Sequence, residues 1–206
     1  MASTESIDES MVDCLIVGGG PAGLTAAIYL ARFHLAVLVF DAGDSRAALI
    51  PLTRNHAGFP YGISGADLLG RMREQAMRHR TDIRPGRVES LALGAKGFLA
   101  RSGNMVIGAR SVLLATGVAN RRPLMMSDAD HARALAAGQL RYCPICDGYE
   151  VTDRRIAVLG TGERGCNEAL FLRGYTRDIT LVAPDGGHDL SGAQPASLDE
   201  AGILVA

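Results

Sequence analysis

Two of the chain's four cysteines, Cys143 and Cys146, stand two residues apart in "RYCPICDGYE", and Asp147 follows them directly. A pair at this spacing serves three chemistries: zinc ligation, a permanent cross-link, or reversible thiol exchange. Zinc takes four ligands, so a second pair would have to join the first. None is spaced for it, because Cys14 and Cys166 fall in separate segments and His34, His56, His79, His131 and His188 are scattered. No metal site is therefore expected. Permanent disulfides rarely persist in the reducing interior of a cell. Thiol exchange remains the best fit, since two intervening residues near a helix start bring sulfurs within bonding range and can depress a thiol's pKa. Asp147 would place a carboxyl group where protons must move. It would equally serve as a helix cap, and the two roles are compatible.

The elements that must position this pair are legible upstream and downstream. "VDCLIVGGGPAGLTAAIYLAR" gives a short apolar run, a glycine turn and the apolar spacing of a buried helix, and "LAVLVFDAG" supplies a second apolar run that closes on Asp41. That order opens a parallel sheet. Gly18, Gly20 and Gly23 match the dinucleotide fingerprint, with Asp41 about 20 residues on as the ribose partner. Gly18 would form the tight turn, Gly20 would let the backbone approach a pyrophosphate, and Gly23 would let the helix pack close to the strand. Pro21 and Ala22 complete the start of that helix, whose amides favour phosphate.

Further along, "SGADLLGRMREQAMRH" predicts an amphipathic helix capped by Ser64. Extended pieces near residues 88–93, 98–101 and 111–115 predict a small antiparallel meander. The stretch "LLATG", with Thr116 and Gly117, precedes a linker, "VANRRP". A second strand, glycine turn, helix and strand then follow in "RRIAVLGTGERGCNEALFLRGYTRDITLVAPDGG", where Gly160, Gly162 and Gly165 keep the fingerprint register. The expected fold is α/β, with two Rossmann-like, doubly wound, three-layer nucleotide-binding units: residues 1–117 as the first and 118–206 as the second, which carries the cysteine pair.

Composition supports a globular chain: 206 residues, 48% hydrophobic and 21% charged, with formal net charge -1. No cluster of Lys and Arg alternates with aromatics, so nucleic acid is not an expected partner. The first ten residues are polar and acidic, unlike a secretion signal, and are expected to fray. The longest apolar helical stretch, residues 22–31, is about half of the roughly 20 residues a membrane span needs. A cytoplasmic location is expected, with no membrane partner.

Taken together, "GGGPAG", "AGFPYGISGADLLGRMREQ", "LLATG", "YCPICDG" and "AVLGTGERGCNEALFL" resemble, in order and separation, the low-molecular-weight thioredoxin reductases and their relatives among the FAD- and NAD(P)-dependent disulfide oxidoreductases. The resemblance implies FAD on the first unit, held by Gly18, Gly20, Pro21, Ala22, Gly23 and Asp41, with Asn55 near the flavin and Thr116 and Gly117 at the crossing to the second unit. Asn55 alone would read as a turn residue. By the same resemblance, NADPH or NADH sits on the second unit at Gly160, Gly162, Glu163 and Gly165. Cys146 then faces the flavin, Cys143 attacks a partner's disulfide, and the segment 118–123 acts as a hinge. A thioredoxin-like protein or small disulfide is the implied substrate, and a homodimer the implied assembly. Cys14 and Cys166 read as small core residues.

Three departures stand out. The second glycine turn continues with Glu163, Arg164 and Gly165 where the family has Asp-Ser-Ala. After the next strand, Pro184 and Asp185 replace a basic cluster, and an acid there suits NADH better than a 2′-phosphate. The family also runs on past the point where "LDEAGILVA" ends, so both units are expected to be incomplete, as a fragment of a longer product or as a chain without the usual flavin site. Two rival readings follow: a dithiol oxidase that acts on small molecules with oxygen as acceptor, favoured by "GYE" after Asp147, and an inactive truncated remnant.

Overall fold

The computed structural model describes residues 6–184 and 186–206. Asp185, read above as an acid opposing a 2′-phosphate, lies outside the described residues, as do the first five residues of the polar leader. The chain divides into two compact units, the first ending at Asn120 and the second spanning Arg121–Ala206.

In the first unit, strand β1 (Ser6–Val17) leads through the glycine turn into helix α1 (Pro21–Arg32) and strand β2 (Val37–Asp41). Helix α2 (Gly65–Arg78) precedes β3 (Asp82–Pro85), and β4 (Ser90–Gly94), β5 (Gly97–Ser102) and β6 (Met105–Leu114) follow. The strands form one sheet in the order β3-β2-β1-β6-β5-β4. Pairings from β3 to β6 through β1 are parallel, whereas β4, β5 and β6 pair antiparallel.

Alternation along β1 and β2 divides the core between two faces. Cys14, Ile16, Val37 and Val39 pack on Ala27, Ile28 and Ala31 of α1 and Ala76 of α2. Leu15, Leu38 and Phe40 pack on Ala100, Ile107 and Ala109 of the meander. All five residues of β2 are therefore buried, which is why "VLVFD" is nearly continuous in apolar character. Three layers result: helices, parallel strands and antiparallel strands.

Three differences from expectation concern strands. The leader does not fray from Ser6 onward: its backbone pairs Ser6–Asp8 with Met105–Ile107 of β6, and a register shift lies between Asp8 and Val12. Ladder hydrogen bonds need only backbone groups, so a polar segment can join the sheet. Second, β6 starts at Met105, well before the expected third piece of the meander, with Gly108 in its interior; glycine inside a strand weakens the pattern a reader looks for. The short polar β3 was not expected at all.

In the second unit, helix α3 (Asp128–Ala136) is capped by Ser127, whose Oγ accepts from the Asp130 N–H at 3.1 Å. One helical turn, α4 (Pro144–Asp147), carries the cysteine pair. Then come β7 (Ile156–Leu159), α5 (Gly162–Leu172), β8 (Ile179–Val182), α6 (Gln194–Glu200) and β9 (Leu204–Val205). The three strands are parallel in the order β7-β8-β9. Val158, Cys166, Ala169, Ile179, Leu181, Leu198 and Ile203 make its core. Helix α6 and β9 extend the expected strand-helix-strand by one more crossover. Among the described residues no helix is long and apolar enough to cross a membrane.

Candidate active site

The glycine turn of the first unit is set by backbone contact. Gly18 has φ +117°, and a methyl group there would also lie 2.8 Å from the Ala115 carbonyl carbon. A methyl at Gly23 would overlap the Gly18 carbonyl oxygen, so α1 can meet β1 this closely only with glycine at that position. Gly20 is the N-cap of α1 without a side-chain acceptor, Pro21 and Ala22 open the helix, and no acid occupies its first turn. The first amides thus present donors and a positive dipole end that suit a pyrophosphate. Gly20 faces Ser45, whose Oγ would lie 3.2 Å from an added methyl.

Asp41 closes β2 against Gly19, where a methyl would overlap its carboxyl group. Asp41 is 8% exposed. Its Oδ1 accepts from the Gly43 N–H at 2.9 Å, and its Oδ2 pairs with Arg73 of α2. Arg73 was not anticipated. Thr116 follows β6 close to Gly18, its amide nitrogen 3.4 Å from where a Gly18 methyl would be, and Gly117 turns with φ +66°. Asn55 lies in the exposed loop bracketed by the Thr53 to Ile63 bridge, and Thr53 Oγ1 donates to its Oδ1 at 2.6 Å. The residues present fit the dinucleotide half of FAD: a tight turn, open helix amides and a buried acid at the end of the next strand.

The glycine turn of the second unit repeats the close approach. A methyl at Gly165 would lie 2.7 Å from the Gly160 carbonyl carbon. Gly162 begins α5 with φ +59°, and Glu163 occupies the first turn. Thr161 Oγ1 accepts from the Asp189 N–H at 2.6 Å, tying the segment after β8 to this turn.

Cys143 and Cys146 are joined by a disulfide with their Cα atoms 5.2 Å apart. Cys143 is the N-cap of α4: its carbonyl accepts from the N–H groups of Cys146 and Asp147 at 3.2 and 3.1 Å, and its Sγ accepts from the Cys146 N–H at 3.2 Å. The sulfur thus lies at the start of a helical turn. Cys143 is half-buried, and Cys146 is exposed. Asp147 ends α4, whose N-cap is Cys143, so the capping alternative fails. Its carboxylate accepts from Arg141 Nη1 at 2.7 Å. Just before the pair, the Tyr142 hydroxyl meets His131 Nε2 at 2.6 Å. Burial pushes the Tyr142 pKa up, against a smaller opposing pull from Arg122. Among the described residues no group of three or more His, Cys, Asp or Glu side chains could hold a metal.

Residues 12–186 match the family model described as pyridine nucleotide-disulphide oxidoreductase. The chain belongs to this family. Over 179 residues it is 37% identical to a thioredoxin reductase of Mycolicibacterium smegmatis, covering 86% of this chain and 56% of that protein. It is 36% identical over 185 residues to the bifunctional thioredoxin reductase/thioredoxin of Mycobacterium leprae, covering 88% and 40%. A solved thioredoxin reductase from Giardia duodenalis superposes with a TM-score of 0.83 at 26% identity, covering 96% of this chain and 64% of that one. The chain spans about half the length of the curated relatives it matches.

As a pyridine nucleotide-disulphide oxidoreductase, the chain carries its disulfide one strand ahead of the second glycine turn. Sequence reading missed Arg73 and Arg141. Each pairs with a candidate site carboxylate, and only the folded chain brings the partners together.

Proposed function

We propose that the protein is an FAD-dependent disulfide oxidoreductase of the thioredoxin reductase kind. Electrons would pass from NADPH or NADH, by way of the flavin, to the Cys143–Cys146 disulfide and on to a thioredoxin-like protein or a small disulfide. The carrying observation is the Cys143–Cys146 disulfide at the start of a helical turn, followed directly by Asp147. Relatives named for thioredoxin reductase, one of them fused to thioredoxin, support that choice of partner.

FAD would be held by the first unit: the Gly18, Gly20 and Gly23 turn and the helix-start N–H groups from Ala22 onward at the pyrophosphate, with Pro21 opening that helix, and Asp41 at the ribose, with Asn55, Thr116 and Gly117 toward the flavin end. Bound there, the flavin supplies two-electron transfer between a nicotinamide and a disulfide. The nicotinamide would lie on the second unit along Gly160, Gly162, Glu163 and Gly165. In this reading residues 1–117 form the FAD domain and 118–206 the nicotinamide domain, in a cytoplasmic homodimer.

The chain's own chemistry is thiol exchange. In the reduced pair, Asp147 accepts the proton of the attacking thiol. The Cys143 thiolate bonds to one sulfur of the partner disulfide, and the other partner sulfur leaves and takes a proton. Cys146 then attacks the mixed disulfide, which releases the second partner thiol and restores the Cys143–Cys146 bond.

The test uses the full chain loaded with FAD. With a nicotinamide and thioredoxin, Cys143→Ser and Cys146→Ser should each lower thiol release by about a thousandfold or more, because exchange needs both sulfurs. Turnover unchanged in either variant would refute the proposal. Oxygen uptake with a small dithiol and no nicotinamide would instead favour the dithiol oxidase.

A further inference from the structure

Arg141 lies two residues before Cys143 and bonds two groups, the Gly138 carbonyl and the Asp147 carboxylate. Its Nε donates to the Gly138 carbonyl oxygen at 3.1 Å, its Nη1 donates to Asp147 Oδ1 at 2.7 Å, and its Nη2 lies 3.1 Å from where a Gly138 methyl would stand. Gly138 has φ +67° at the end of α3, so the guanidinium sits where that helix's carbonyl end is negative. The Arg141–Asp147 pair is also sheltered, its side chains 27% and 23% exposed, against 86% and 54% for Arg155–Asp178 in the same unit. Exposed pairs contribute little to stability or placement, and sheltered ones hold geometry better.

We propose that Arg141 is a positioning residue for the thiol exchange, acting through Asp147; this rests on the proton role given to Asp147 above. One carboxylate oxygen is occupied by the guanidinium, which leaves Oδ2 to take the proton from the attacking thiol and return it to the leaving thiolate. The guanidinium also offsets the Asp147 charge, which would otherwise oppose a thiolate forming at Cys143. Bonds and protons balance as in the exchange with a partner disulfide, and Arg141 itself neither gains nor loses a proton.

The experiment needs no bound cofactor. The full chain is reduced, freed of reductant, and alkylated with iodoacetamide across about pH 5 to 9, the range in which perturbed thiols titrate. Mass spectrometry then reads the rates at Cys143 and Cys146. Arg141→Ala should slow alkylation near neutral pH by about tenfold and move the midpoint of the profile upward, as about one pKa unit requires. Arg141→Lys should recover most of the rate. In the D147N background, the same Arg141→Ala change should alter the rate by less than about twofold, as expected when one residue acts through the other.

An equal slowing with and without Asp147, or no slowing at all, overturns the proposal. Asp147→Asn without effect overturns the proton role of Asp147 and this inference with it. A slow Asp147→Asn beside a normal Arg141→Ala overturns the inference alone. Where circular dichroism shows Arg141→Ala unfolded, Arg141→Gln carries the same comparison.

Discussion

Four cysteines with the same side chain have different chemistry because their surroundings differ. Cys143 and Cys146 sit at the start of α4, half-buried and exposed respectively, while Cys14 and Cys166 are buried as free thiols. Cys166 is 2% exposed in the core of the second unit, and burial pushes its pKa above the ordinary 9.0. The consequence for stability has a definite sign. Below pH 9.0 the folded and unfolded chains both keep the proton; above it the unfolded chain releases the proton first, so stability falls until pH passes the raised folded value. Tyr142, also raised above its ordinary 10.0, adds to the alkaline loss. Cys166→Ala should therefore make the urea midpoint less steep against pH above 9.0 and leave the slope below it unchanged. Identical slopes in both proteins would remove Cys166 from the account.

Single elements show what a local signal can and cannot specify. Ser64 caps α2: its Oγ accepts from the Asp67 N–H at 3.0 Å and donates to Asp67 Oδ2 at 2.7 Å. Ser64→Ala should cost about 1 kcal/mol, the usual value of such a cap, against about 2 to 5 kcal/mol for Leu68→Ala in the buried face of the same helix. Urea denaturation of both variants checks the ranking. The cap was legible because its partners are three residues apart, and the Gly18 to Gly23 turn was legible for the same local reason. The cysteine pair could likewise be read from the chain, since its spacing alone restricts its chemistry. Strand β3 was not legible, because Asp82, Arg84 and Pro85 hide the one apolar residue, Ile83, in a strand held by pairing with β2. The first half of β6 was masked by Gly108, and β9 by its shortness. Arg73 with Asp41, 32 residues apart, could not be paired without the fold. Arg141 with Asp147 is nearer in the chain, but a helix start intervenes and no periodic pattern links them.

At the scale of the whole molecule, the two cores share no residue: the core residues of the first unit come from β1, β2, α1, α2, β5 and β6, those of the second from β7, β8, α5, α6 and the turn before β9. Each contains a glycine at its glycine turn with no room for a methyl group, Gly23 on Gly18 and Gly165 on Gly160. The first overlaps a carbonyl oxygen and the second approaches a carbonyl carbon at 2.7 Å, so in both cases backbone must move, which a packed interior resists. Gly23→Ala should therefore lower hydrogen-exchange protection in β1, α1 and β2 by about 2 to 4 kcal/mol and leave β8 and α5 unchanged; Gly165→Ala should do the reverse, with a smaller loss. The prediction follows from burial: a strained turn weakens the cooperative unit whose core it closes, and protection elsewhere depends on contacts it does not touch. Equal loss in both units from either substitution would show that the chain opens as one cooperative body, with the glycine turns acting on shared rather than separate stability.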